Sequence, residues 1–109
     1  MQFTADALVG RRMLDNDGRY VGAVTAWYQY PRYLNAAFGV VVVRTGRLLR
    51  ARHLVDLLDA TLDGDVLTVA YPAALIGAAP HHTPLVGNTL SDQHAADVLA
   101  HYRASMAPA

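Results

Sequence analysis

The chain has 109 residues, which is the size of one domain. It contains no cysteine, so disulfides, thiolate nucleophiles and thiolate metal sites are excluded. Nine basic residues balance nine acidic ones, and this zero net charge excludes an overall field that attracts nucleic acid or anionic membranes. Hydrophobic residues make up 53% of the chain, which argues against disorder and favours association with a copy or a partner.

The beginning of the chain predicts strands joined by tight turns. Residues 8–14 are predicted as a first strand that ends at an Asp15–Gly18 turn, because Asp-Gly between apolar runs is a strong hairpin signal. Residues 20–30 are predicted as a long second strand, in which Gly22 marks a bulge or a close approach of another backbone. Pro31 ends this strand.

Strands continue through the middle of the chain. Residues 37–44 form a predicted third strand whose core, Val40–Val43, is β-branched and apolar on both faces. Such a run should lie inside a sheet or beneath a partner. Residues 47–58 predict one or two further strands, and a second Asp-Gly turn at Asp63 leads into a predicted strand over residues 66–71.

The last third of the chain predicts a loop and a helix. Residues 72–76 are expected to form a single helical turn, followed by a Pro- and His-rich loop. Ser91 is a favourable N-cap for a helix that runs to about Arg103, with one apolar stripe that docks on the barrel or on a second copy. The expected organisation is a β-barrel, a loop and a C-terminal helix, over residues 1–80, 81–90 and 91–103.

Short motifs follow one another in a characteristic order. They are Leu8-Val9-Gly10, Asp17-Gly18, Val21-Gly22-Ala23-Val24, Leu54-Val55, the strand Gly64–Val69, Ile76 with Ala79-Pro80, and a tail over Leu90–Tyr102. Together they resemble the PRC-barrel family, named after the cytoplasmic domain of the photosynthetic reaction-centre H subunit. Relatives include the C-terminal domain of a ribosome maturation factor and small stand-alone bacterial proteins. The resemblance implies a mostly β protein, a small PRC-type β-barrel of about six strands with a C-terminal α-helix, used for protein contacts and without shared catalytic residues.

Two patterns suggest a metal or ligand site. Aligning Asp17-Gly18 with a calcium loop places Met13 and Val24 where oxygen ligands are required, so a hairpin turn is favoured. A small-ligand or metal-binding regulatory barrel is the alternative function, and it requires the tail to fold back so that histidines meet. These histidines are His53, His81, His82, His94 and His101. We predict no metal and no cofactor.

Enzyme and RNA-binding functions are less favoured. Ser91, His94 and Asp97 are the residue types of a catalytic triad, but Ser91 is better explained as a helix cap and no Gly-x-Ser-x-Gly motif is present. We therefore predict no enzyme and no catalytic residues. Arginines within 11–12 and 44–52 make a ribosome- or RNA-associated role a weaker alternative, since acidic residues balance them and the chain has no lysine.

Aromatic residues between the second and third strands predict a contact surface, because Trp, Tyr and Arg dominate interface energetics. Because side chains alternate along a strand, Trp27 is expected on one face of the sheet and Tyr28 on the other, so some of these aromatic residues belong to the core. With no secretory signal pattern and no long apolar stretch, we expect a cytoplasmic interaction or assembly module. We expect a homodimer, with an unidentified protein partner also possible. The candidate interface residues are Trp27, Tyr28, Tyr30, Arg32, Tyr33, Val98, Leu99 and Tyr102.

Overall fold

The computed structural model describes residues 5–34, 38–46, 51–79 and 87–106. These residues form a mixed sheet, short helical segments and a longer C-terminal helix. The strands are β1 (Arg12–Leu14), β2 (Tyr20–Tyr28), β3 (Val40–Thr45), β4 (Ala51–Asp56), β5 (Thr61–Asp63) and β6 (Val66–Thr68). The helices are α1 (Ala5–Leu8), a 3-10 helix (Arg32–Leu34), α2 (Ala73–Gly77) and α3 (Asp92–Met106). The predicted mostly β fold with a C-terminal helix is confirmed.

The sheet is open, and the predicted closure into a barrel is wrong. Within the described residues the strand order is β4-β3-β2-β1-β6-β5, so β4 and β5 are the two edges. Neighbouring strands are antiparallel except β1 and β6, which run parallel. Helix α3 packs against β4, where the Tyr102 hydroxyl donates to the carbonyl oxygen of Leu54 over 2.5 Å. A helix thus contacts the edge strand that a closed barrel would pair with β5.

Strand β3 lies in the sheet interior. Its residues Val40–Val43 are fully buried, and the strand pairs with β2 on one side and β4 on the other. Because successive side chains of a strand point to opposite faces, both faces of the sheet are covered at β3. The prediction that this valine run lies inside the sheet or is covered is confirmed.

The structure corrects the bounds of two predicted strands. Residues 5–8 form α1, so the first strand begins later than expected, after Gly10 with its left-handed φ of 90°. The strand predicted over 66–71 already ends at Thr68. Parts of the predicted fourth strand (47–50) and of the predicted loop (80–86) lie outside the described residues.

Two glycines occupy positions that require them. A Cβ atom at Gly22 would overlap with the carbonyl oxygen of Arg44 on β3, which confirms the predicted close approach. Gly64 has a φ of 62° in the turn between β5 and β6, where Asp63 pairs with Val66. The second Asp-Gly signal therefore forms a two-residue hairpin connection, as predicted.

Helix α3 begins at the predicted cap. The Ser91 hydroxyl oxygen accepts a hydrogen bond from the main-chain N–H of His94 over 3.2 Å. Along the helix, Ala95, Val98 and Tyr102 are fully buried, at the spacing expected for one apolar face. The helix ends beyond the predicted boundary, at residue 106.

Removing the cap should have a modest effect on stability. We expect Ser91→Ala to lower the free energy of unfolding by about 1 kcal/mol, because the His94 N–H loses its acceptor. Urea unfolding followed by circular dichroism measures this change. Ser91→Asp supplies another capping oxygen and should stay close to the wild type. Equal stability of Ser91→Ala and the wild type would contradict the role of the cap.

Candidate functional site

A fully buried carboxylate, that of Asp56, lies at the end of β4 and joins three other parts of the chain. Its Oδ1 accepts a hydrogen bond from the Tyr30 hydroxyl over 2.6 Å, and its Oδ2 accepts one from the Tyr71 hydroxyl over 2.8 Å. The guanidinium of Arg103 donates from Nε to Oδ2 and from Nη2 to Oδ1, each over 3.2 Å. We call these four residues the Asp56 cluster.

The protonation states in the cluster follow from burial and charge. Burial raises the pKa of Tyr30 and the pKa of Tyr71, and the negative charge and hydrogen bonds of Asp56 raise both further. Partial burial acts to lower the pKa of Arg103, but the hydrogen bonds and charge of Asp56 outweigh this effect and raise it. Both phenols thus remain protonated donors, and Arg103 remains a cation.

This arrangement satisfies the carboxylate of Asp56. Each of its oxygens accepts from one phenol and one guanidinium nitrogen, and the main-chain N–H of Leu58 lies 3.4 Å from Oδ2. The effect of the cluster is structural, because it ties the segments after β2 and β6, together with α3, to β4.

The sequence alone does not predict this cluster. Its aromatic pattern makes Tyr30 an interface candidate, and the partners of Asp56 stand 26, 15 and 47 residues away, where no local pattern connects them. One signal is available: the acid lies within an otherwise apolar run over 54–58. A carboxylate buried in such a run requires partners elsewhere in the chain.

Tyr102 forms a second anchor between α3 and the sheet. It is fully buried, and its ring centroid lies 4.6 Å from that of Tyr71. Burial raises the pKa of Tyr102, so its hydroxyl stays protonated and donates to the Leu54 carbonyl. Two adjacent residues therefore hold α3 to β4: Tyr102 makes a neutral hydrogen bond and Arg103 makes a charged one.

The first Asp-Gly turn is organised by Asp15, a nearly fully buried residue. Its Oδ1 accepts hydrogen bonds from the main-chain N–H groups of Asp17 and Arg19, each over 2.9 Å, and its Oδ2 accepts one from Ala73 over 3.3 Å. The N–H of Arg19 contributes most to lowering the pKa of Asp15, against the opposing effect of burial. The carboxylate thus joins the turn to the start of α2.

This environment predicts a pH dependence of stability. Because folding lowers the pKa of Asp15 below its ordinary value of 3.8, ionised Asp15 stabilises the fold above that value, and this contribution is lost as pH falls through the folded-state pKa. Asp15→Asn should melt below the wild type at pH 7, since an amide cannot accept all three N–H groups. The difference in melting temperature should shrink as pH falls below about 4. A difference that stays constant with pH would contradict this assignment.

Two of the described histidines contact main-chain carbonyl oxygens through their rings. Nδ1 of His53 lies 3.3 Å from the carbonyl oxygen of Ala79, and Nε2 of His101 lies 2.7 Å from that of Leu75. Within the described ranges no three His, Cys, Asp or Glu side chains form a group that could hold a metal ion. Two of the predicted candidates lie outside those ranges, His81 and His82.

Two of the residue types of a triad, Ser91 and His94, meet near the start of α3. The Ser91 hydroxyl lies 2.6 Å from Nδ1 of His94, and the same oxygen caps the helix. The carboxylate of Asp97 accepts a hydrogen bond from Gln93 Nε2 over 2.8 Å. The acid thus contacts Gln93, one position along the chain from His94.

The eight predicted interface residues differ in burial. Four are buried: Tyr28, Tyr30, Val98 and Tyr102. Two are half-buried, Trp27 and Leu99, and two are exposed, Arg32 and Tyr33. Strand register pairs Trp27 with Val41 and Tyr28 with Val40, and it places the two aromatic residues on different faces of the sheet, as the alternation predicts. The interface itself stays a prediction. Of the eight residues, the exposed Arg32 and Tyr33 and the half-buried Trp27 and Leu99 are accessible at the surface.

The connection between β2 and β3 presents aromatic rings at the surface. Tyr33 is 70% exposed and Phe38 is 37% exposed. The indole N–H of Trp27 donates to the carbonyl oxygen of Phe38 over 3.2 Å, and Phe38 has a φ of 75°. Interaction with the carboxylate of Asp92, at the start of α3, raises the pKa of Tyr33. We call Trp27, Tyr33 and Phe38 the aromatic connection.

No family model matches the chain, and no curated protein shows significant sequence similarity to it. Across the part of the chain that the structure describes, no helix has the length and apolar character needed to cross a membrane.

Proposed function

We propose that this chain is a non-enzymatic interaction module of the PRC-barrel family that acts in the cytoplasm. It pairs with a second copy of itself and presents the aromatic connection to a partner protein. The order of its Asp-Gly turns, short strands and C-terminal helix supports the family assignment. The hydrogen bonds that Asp56 and Asp15 accept from other parts of the chain support a structural use of its buried acids.

The observation that carries this proposal is the exposure of Tyr33 and Phe38 in one connection, because the other large apolar side chains of the described residues, Val9 and Tyr20 excepted, are buried or half-buried. Phe38 holds a left-handed backbone, which costs a bulky residue about 1–3 kcal/mol and is found mostly at functional positions. Aromatic side chains are the usual anchors of protein interfaces. The surface is small, so it fits a short apolar segment of a partner bound weakly or transiently.

Two measurements test the proposal. Light scattering at micromolar concentration should give twice the chain mass of 11.8 kDa. Cross-linked pull-down from the native cell should yield partner species that Tyr33→Ser and Phe38→Ser lose. Val9→Ser, which changes another exposed apolar residue, should retain them.

Either half of the proposal can fail separately. A monomer at every concentration would remove self-association. Species captured equally by the wild type and by both aromatic variants would remove the aromatic connection as the contact surface.

A further inference from the structure

Strand register places six residues in one line across the whole sheet. Partners in a β-ladder lie side by side on the same face, so the successive pairings define a continuous row. From the β5 edge to the β4 edge the row is Asp63, Val66, Arg12, Ala23, Arg44 and Arg52. We call it the charge row.

The charge row lies at the end of the sheet beyond the fully buried Val42 and Leu54, and its members Val66, Ala23 and Arg44 are half-buried. Its end residues, Asp63 and Arg52, are exposed, as is Arg12 within it. The next residues along β1 and β6, Met13 and Leu67, point to the opposite face and are fully buried in the core. The row is therefore a surface feature.

The charges of the row are segregated. Its negative end, Asp63, is separated from its positive end, Arg52, by five strand spacings of about 4.8 Å, or about 24 Å along the sheet. Among the described residues no ion pair joins an acid to one of the row's arginines. Arg44 stands directly opposite Arg52, and like charges at such positions destabilise an isolated sheet.

We propose that the occupant of this face is a second copy of the chain, related by a two-fold axis through the middle of the charge row. A two-fold axis there reverses the order of the six positions. Asp63 of each copy then faces Arg52 of the other, which forms two symmetric carboxylate–guanidinium pairs. The proposal rests on the homodimer of the proposed function and names its surface.

The remaining positions of the row are complementary in size. The same axis places Arg12 of one copy over Ala23 of the other, and Arg44 of one copy over Val66 of the other. Each long side chain then meets a shorter apolar one. Arginine stems pack well on apolar surface while the charged group stays at the rim. Zero net charge removes overall repulsion between copies. The row thus explains how a chain without net charge uses its charges for association.

A charge-swap experiment tests this arrangement. Arg52→Asp makes both end pairs acidic in a homodimer, and Asp63→Arg makes both basic. Each variant alone should therefore dimerise at least about tenfold more weakly than the wild type. An equimolar mixture should recover a dimer, because every Asp at 52 then faces an Arg at 63 and the second pair is native. Analytical ultracentrifugation measures all three, with circular dichroism to verify folding.

The controls separate this inference from the proposed function. Arg19→Asp changes an exposed arginine outside both the row and the candidate interface residues, and should leave the dimer intact. A monomeric wild type overturns the homodimer and this surface together. A dimeric wild type whose two reversal variants also dimerise normally overturns the charge row alone, as does a mixture that stays monomeric. Binding of fluorescent single-stranded RNA by the wild type but not by Arg52→Asp, without any effect on mass, would assign the row to a polyanion instead.

Discussion

Replacing Asp56 by alanine should lower the free energy of unfolding by about 3–5 kcal/mol, because the remaining cluster keeps its donors without their acceptor. The hydroxyls of Tyr30 and Tyr71 are buried and would each lose a short hydrogen bond. The guanidinium of Arg103 would lose its counter-ion. Unfolding in urea, followed by circular dichroism, measures the effect.

Two further variants make this result interpretable. Arg103→Met keeps the apolar stem and leaves both phenols to bond the carboxylate, so it should destabilise less than Asp56→Ala. Asp65→Ala removes an exposed acid and should stay within about 0.5 kcal/mol of the wild type. If Asp56→Ala unfolds at the same urea concentration as Asp65→Ala, the cluster does not hold the fold together.

The features that sequence predicts correctly here are local. An Asp-Gly turn, a run of four valines and the Ser91 cap each depend on residues within a few positions of one another. The alternation of Trp27 and Tyr28 is local as well, and the structure places them on opposite faces. Such signals define which elements exist and roughly where they start.

The features that sequence misses are set by distant contacts. Barrel closure depends on whether β4 meets β5, and α3 contacts β4 through a bond between residues 48 positions apart. The assignment of Tyr30 to core or surface depends on Asp56, which is 26 residues away. Composition shows that the chain is rich in tyrosine, but the partner of each hydroxyl decides whether the ring serves the core or an interface.

Shortening Tyr102 should release α3 from the sheet. Tyr102→Ala removes a fully buried ring that contacts Tyr71, and we expect a loss of about 3–5 kcal/mol in the free energy of unfolding. Tyr102→Phe keeps the ring and removes only the hydroxyl that bonds the Leu54 carbonyl, so it should lose about 1 kcal/mol. Hydrogen exchange should show the amides of residues 92–103 deprotected most in Tyr102→Ala.

The half-buried Leu99, one turn earlier on the same helix, provides the comparison for this prediction. Leu99→Ala should cost less than Tyr102→Ala, because Leu99 already contacts solvent and its loss leaves a smaller cavity. Equal costs for the two variants would mean that α3 is held by general apolar burial. A larger cost at Tyr102 locates the attachment of α3 at the edge of β4, where Tyr102 and Arg103 bond to Leu54 and Asp56. The β4 edge of the open sheet would then be stabilised by a helix, which supplies side-chain donors where a closed barrel would supply a paired strand.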